Sequence, residues 1–495
     1  MAETGFERKP GALWRSNAAA RLRTAVVSWP LLLALILVVR GALRFNGLDW
    51  DQPTGAEHPL QMHPDERFLS LVAERIDWPS SIGGYFDTKH SPLNPYNDPE
   101  THSFVYGTFP LFLAKGVAGI AGGSSYDTTV EWGRRITALF DTATIALVFG
   151  IGWVLGSRRA GLAGAALYAL AVLPTQLSHF WTMDPFLTFF LTATLLQSLL
   201  FVGSKRPRAS WGLAGGIGVT LGLALACKVN ALLFVPVVPL AAALRIGLRD
   251  FPALGLRWRT AKVAPTGNWL SDCSMAMFAL FVALIVFRIA QPYAFAGPHF
   301  WDMALNPLWK SDLQREFDYQ DGIVDYPPFI QFAGRTPFVA PLVNLVVWGT
   351  GPALGLAGVV GLVAGAVVLF RRRELSWALP LVAVGAVFGF QGMRFVAFMR
   401  YFEPMYPVLA AAAGVGLAWL FAWAANGLRR KERTRDVRRE VVRWGALAVV
   451  GVVFAGTLWW AVAFQNVYRS TNPRIAASEW IDTNVPQGSR LTYEY

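Results

Sequence analysis

Charge is scarce in this chain. Only 15% of its 495 residues are Asp, Glu, Lys or Arg, against roughly 25% in a soluble globular domain. With 54% hydrophobic residues, 20 Trp and 34 Phe, a soluble fold could not hide its apolar surface, which excludes disordered, fibrous and ordinary cytosolic classes. The apolar residues come in runs near the roughly 20 residues that cross a bilayer as helix, so the sequence reads as an all-α polytopic membrane protein. Cysteine is nearly missing. Cys227 and Cys273 are expected near opposite membrane faces, beyond the roughly 4.4–6.8 Å Cα separation of a disulfide. The six His are scattered, which argues against an all-His metal centre, although one His with carboxylates would suit a divalent ion. P-loop, CxxC and HExxH patterns are absent.

The net charge of +12 would suit a nucleic-acid binder, but its distribution excludes that partner. The cations stand in short clusters between apolar runs, at Arg8–Arg23, Arg158–Arg159, Lys205–Arg208, Arg245–Lys262, Arg371–Arg373 and Arg429–Arg443. Cytoplasmic loops of membrane proteins carry such an excess. Placing each cluster inside gives about eleven transmembrane helices, at 25–43, 134–155, 160–176, 184–202, 211–227, 231–247, 271–291, 351–370, 376–391, 401–424 and 444–463. The first reads as a retained signal anchor. Residues 1–24 form a basic cytoplasmic N-terminus, 25–464 the membrane domain and 465–495 an extracytoplasmic tail. Two long outer loops, 44–133 and 292–350, place the chemistry on the extracytoplasmic face, most simply of the plasma membrane. Phe104–Ile120 is apolar, yet counting it as a span would put Arg158–Arg159 outside, so it is expected to lie in the interface.

Three constellations could carry chemistry. Asp65 and Glu66 follow Pro64 at a helix start, where the dipole keeps carboxylates ionised. They are either acids chosen for that dipole alone, or a general base and a metal ligand at the membrane surface. Asp184 heads an apolar helix before Pro185, as an N-cap or as a functional group at the membrane boundary. Arg134, Lys228 and Arg400 are basic on the outer side, against the charge rule; each alone could snorkel to lipid headgroups, whereas together they would hold a phosphate.

Five segments in order carry a resemblance: Asp65-Glu66-Arg67-Phe68, Gly133-Arg134-Arg135-Ile136-Thr137-Ala138-Leu139-Phe140, Met183-Asp184-Pro185-Phe186-Leu187, Lys228 in its turn, and Arg400-Tyr401-Phe402-Glu403-Pro404-Met405-Tyr406-Pro407. The chain resembles the polyprenyl-phosphate-dependent GT-C glycosyltransferases, most closely the family 39 and protein O-mannosyltransferase group, over about residues 25–425. The resemblance implies a GT-C helical bundle with juxtamembrane helices in the first outer loop. It also implies inverting transfer of mannose or another hexose or pentose from a polyprenyl-phosphate carrier to a protein, lipid or glycan acceptor. Asp65 would be the catalytic base; Glu66 and Asp184 would orient it or bind a metal; Arg134, Lys228 and Arg400 would bind the donor phosphate. The one cofactor the residues leave open is a divalent metal ion. A transporter or lipid-linked-saccharide flippase is the alternative, but most span centres lack charge and no two-fold repeat is detectable. An oligosaccharyltransferase would be expected to carry a WWD-type motif, and Trp459-Trp460 is followed by Ala461.

Overall fold

The structure is a computed structural model and describes residues 28–52, 62–259, 267–429 and 437–492; the basic N-terminus at 1–24 lies outside these. Fifteen principal helices carry the fold: α1 Trp29–Phe45, α2 Pro64–Arg75, α3 Thr108–Ala121, α4 Tyr126–Leu155, α5 Arg158–Ala169, α6 Met183–Gly203, α7 Pro207–Leu225, α8 Val237–Asp250, α9 Trp269–Ala290, α10 Pro307–Gln320, α11 Pro352–Arg372, α12 Ala378–Met393, α13 Tyr406–Arg429, α14 Val437–Gln465 and α15 Pro473–Asn484. No strand occurs among the described residues.

Helix stands at each of the eleven expected span positions, but eight segments among the described residues are long and apolar enough to cross a membrane. The other three differ for local reasons. The first has 17 described residues. Helix α7 is diluted by glycine and by Arg208. The segment expected at 160–176 is two pieces, α5 and Val172–Leu177, because the chain turns at Leu170 and Ala171, whose N–H groups close on the Leu167 and Tyr168 carbonyls. Helix α3 is 14 residues long, about 21 Å at 1.5 Å per residue, too short to span. Lys115 on it does not snorkel: it is buried and its Nζ donates to the Ala73 carbonyl at 2.8 Å.

Helix α6 is the most enclosed of the eight, with 72% of its apolar window buried against 11% for the last. Its sequence is apolar on every side, as a helix surrounded by protein requires. Helix α7 packs on α6 and α9, and α13 sits among α4, α5, α11 and α14. Glycine permits the closest crossing: a Cβ at Gly218 or Gly222 would come within 2.5 or 2.6 Å of the Ala279 or Ala283 carbonyl oxygens of α9, the small-residue packing that helices use in lipid. Both cysteines are free, Cys227 buried and Cys273 exposed. They lie near opposite ends of the bundle, as expected.

Candidate active site

Helix α2 begins at Pro64, whose missing N–H costs nothing in a first turn. Asp65 and Glu66 follow it, about 100° apart around the helix, and this angle separates their fates. Glu66 turns inward and is fully buried. It accepts from Arg134 Nε at 2.7 Å and from the Trp181 backbone N–H at 2.9 Å. Arg134, at the site end of α4, is 2% exposed. Its Nη1 and Nη2 also reach Asp51 at 2.8 and 3.1 Å, Nη1 donates to the Leu48 carbonyl, and Nη2 donates to Glu66. All five donors of its guanidinium are thereby taken, and neither Arg134 nor Glu66 lines the cavity described next.

Asp65 points the other way, into a cavity of about 720 Å³ at one end of the bundle. Its carboxylate pairs with Arg400 Nη1, from the 3₁₀ segment Met399–Met405 that leads into α13. Burial pushes the Asp65 pKa up, but the charges of Arg400 and Lys228 outweigh it and hold the carboxyl below its ordinary range. Lys228 lies in the turn after α7 and reaches Asp184 Oδ1 at 2.9 Å, with its ammonium 4.6 Å above the Tyr401 ring. Burial pulls the Lys228 pKa down, yet Asp184 and Tyr401 raise it past the ordinary lysine value, so it stays charged. The turn is held in place from the first outer loop: Gly107 N–H donates to the Cys227 carbonyl at 3.0 Å, and a Cβ at Gly107 would lie 1.9 Å from the Ala226 oxygen.

Thus the structure brings Asp65, Lys228 and Arg400 to one cavity, with Asp184 behind Lys228, and sets Glu66 and Arg134 apart in a buried cluster with Asp51. Two polar atoms at the cavity are buried without partners, Arg400 Nε and His63 Nδ1. Both could meet a ligand's oxygens. Burial lowers the His63 pKa, so its imidazole is neutral at pH 7. The second outer segment supplies the facing wall, with Glu316, Tyr319, Tyr326 and Phe329. The sequence alone gave these residues no role. It also gave none to Asp51 or to Glu403, whose two carboxyl oxygens are buried and unpartnered beneath the site.

A divalent ion fits poorly here. Among the described residues no three His, Cys, Asp or Glu converge as a metal set, and the three carboxylates expected at the site are each spent on a cation: Asp65 on Arg400, Glu66 on Arg134 and Asp184 on Lys228.

Comparison with known proteins agrees with this architecture. Residues 117–304 match the family model for dolichyl-phosphate-mannose-protein mannosyltransferase; this segment holds Arg134, Asp184 and Lys228, while Asp65 and Arg400 lie outside it. No curated protein matches by sequence. Among solved structures, the Saccharomyces cerevisiae protein O-mannosyltransferase Pmt1-Pmt2 complex bound to the sugar donor aligns with a TM-score of 0.59 at 12% identity, over 94% of this chain and 93% of that one. ArnT from Cupriavidus metallidurans bound to undecaprenyl phosphate aligns at 0.51 and 16% identity, over 92% and 80%. The oligosaccharyltransferase of Archaeoglobus fulgidus aligns at 0.57 and 14% identity over 92% of this chain, and the chain spans 58% of that protein's length. The chain is a multi-pass, all-helical membrane protein with the GT-C fold, and its residues 117–304 are similar to the protein O-mannosyltransferase family.

Proposed function

We propose that this protein transfers a sugar, mannose or another hexose or pentose, from a polyprenyl-phosphate carrier to a hydroxyl or amine of a protein, lipid or glycan acceptor at the extracytoplasmic membrane face. The observation that carries the reading is the ion-pair pattern in one cavity: a carboxylate and two cations, with unpartnered donor capacity on Arg400. Solved structures with this fold are bound to the sugar donor or to undecaprenyl phosphate, which supports a lipid-phosphate donor.

In the proposed step the acceptor oxygen or nitrogen attacks the anomeric carbon while Asp65 takes its proton. The bond from that carbon to the phosphate oxygen breaks, its electron pair leaves with the polyprenyl phosphate, and the configuration inverts. The leaving phosphate needs charge stabilisation rather than protonation, and Lys228 and Arg400 supply it. Free Asp65 is a weak base because Arg400 holds it. An arriving phosphate competes for Arg400 and leaves Asp65 more basic at the moment the acceptor needs it. Asp184 keeps Lys228 aimed at the cavity. Arg134 has no donor to spare, so the phosphate role first expected of it passes to Lys228 and Arg400. Arg134, Glu66 and Asp51 instead anchor the start of α2 and thereby the direction of Asp65.

The test is incubation of the purified protein in lipid discs with polyprenyl-phosphate-linked sugars and candidate peptide and lipid acceptors, read by mass spectrometry. Glycosylated acceptor with stoichiometric polyprenyl phosphate is expected. Movement of intact lipid-linked sugar across the bilayer with no acceptor product would overturn the reading in favour of a flippase.

A further inference from the structure

A second cavity, of about 780 Å³, opens at the opposite end of the bundle. Helix α4 separates the two: Arg134, in the buried cluster with Glu66 and Asp51, stands near its first end, and Gly156, just past its last residue, lines the second cavity, roughly 33 Å further along at 1.5 Å per residue. The walls come from α5, α11 and α13, and are apolar in depth, with Val368, Trp377, Val415 and Ala418. Trp419 at the side is 64% exposed.

The rim is cationic. Arg257, Arg259 and Arg372 stand there with a single acid, Glu374, which already accepts from the Ser376 hydroxyl at 2.9 Å. Among the described residues no carboxylate lies within ion-pair distance of any of the three arginines. Arg259 Nε donates to the Gly156 carbonyl at 2.8 Å. Ser157, also on the rim, caps the N-terminus of the 12-residue α5 by accepting from Ala160 N–H at 3.2 Å, so the positive end of that helix dipole faces the same opening. An apolar slot with a positive mouth at a membrane face is complementary to an amphiphile with a negative head.

We propose that this cavity binds an anionic glycerophospholipid of the surrounding leaflet, its acyl chain in the slot between α11 and α13 and its phosphate against Arg257, Arg259 and Arg372. The site is independent of the sugar-transfer cavity. Gly416 of α13 lines the slot and provides a means of closing it: a Cβ there would meet nothing nearer than the Gly361 Cα at 4.0 Å, so the position accepts a side chain's first carbon.

The test uses the full chain in detergent, offered equimolar phosphatidylglycerol and phosphatidylcholine, with retained lipid read by native mass spectrometry. Phosphatidylglycerol is expected to be kept over phosphatidylcholine by about tenfold, which is about 1.4 kcal/mol. The exposed pair R257Q/R372Q is expected to bring the preference close to unity. G416L is expected to reduce total lipid retention about tenfold without changing the melting temperature in phosphatidylcholine. Equal retention of the two lipids by the wild type overturns the proposal, as does wild-type retention in both variants. Displacement of phosphatidylglycerol by equimolar undecaprenyl phosphate also overturns it, since the slot would then belong to the carrier lipid.

Discussion

Asp65 and Arg400 form an ion pair although 335 residues separate them in the chain. Their side chains remain 16% and 22% exposed, enough for a ligand to reach both. In the proposed mechanism the pair is both the base and its restraint, so its two members should fail differently. Asp65→Asn is expected to lower kcat by about 10²–10⁴, the usual worth of a general base, with donor affinity retained. Arg400→Gln is expected to weaken binding of the lipid-phosphate donor about tenfold or more, on the scale of a charge-assisted hydrogen bond. Lipid-donor titration alongside turnover separates these outcomes, and unchanged donor affinity in Arg400→Gln would remove the phosphate role.

The pH profile carries the same signature. Because the Asp65 carboxyl titrates below its ordinary range, the base form persists as pH falls, and kcat/KM is expected to stay level from pH 7 to about pH 5, above the unperturbed value near 3.9. Removing Arg400 takes away the largest charge that lowers it, so the acidic limb should move upward in Arg400→Gln. The sign for stability follows: a depressed folded-state pKa contributes stability fully present above the unfolded value and lost as pH falls through the folded one. An unshifted acidic limb in the variant would show that Arg400 does not govern Asp65.

Arg134 should behave as an anchor. Truncating one partner of a buried charged cluster leaves the others unpaired, at about 3–5 kcal/mol. Arg134→Gln is therefore expected to lower the melting temperature strongly, with Glu66 and Asp51 stranded. The fraction that remains folded should bind donor with affinity near wild type. Normal stability combined with lost donor binding would restore Arg134 to the phosphate site.

The α7–α9 crossing gives a packing test remote from chemistry. Gly222→Val would place carbon against the Ala283 carbonyl and the Val286 side chain, where even a Cβ has no room. Overpacking of this kind costs typically about 1–3 kcal/mol, and a matching loss of thermal stability in detergent is expected.

The sequence made the helices legible, because an apolar run long enough for lipid has few other uses, and charge clusters between runs marked their ends. The break at Leu170–Ala171 was hidden, since it depends on how two carbonyls are capped and not on composition. At the site, residue types and order were readable while the pairings were not. Asp65 and Glu66 look equivalent on paper; only the placement of α4 and of the 399–405 segment decides that one meets Arg400 and the other Arg134. Nothing in the spacing of Asp51 marks it as the second partner of Arg134, and Glu316 and Phe329 join the cavity only because the second outer loop folds over the first.

The wide sequence gap between Asp65 and Arg400 also governs how the protein is made. Lys228 follows its partner Asp184 by only 44 residues, so that couple can meet soon after synthesis. Asp65 must wait for 335 more residues, on the order of half a minute at about 5–20 residues per second. Throughout that interval the acid stands at the edge of the lipid without its counterion, and the nascent chain reaches electrical balance there only when its late helices arrive.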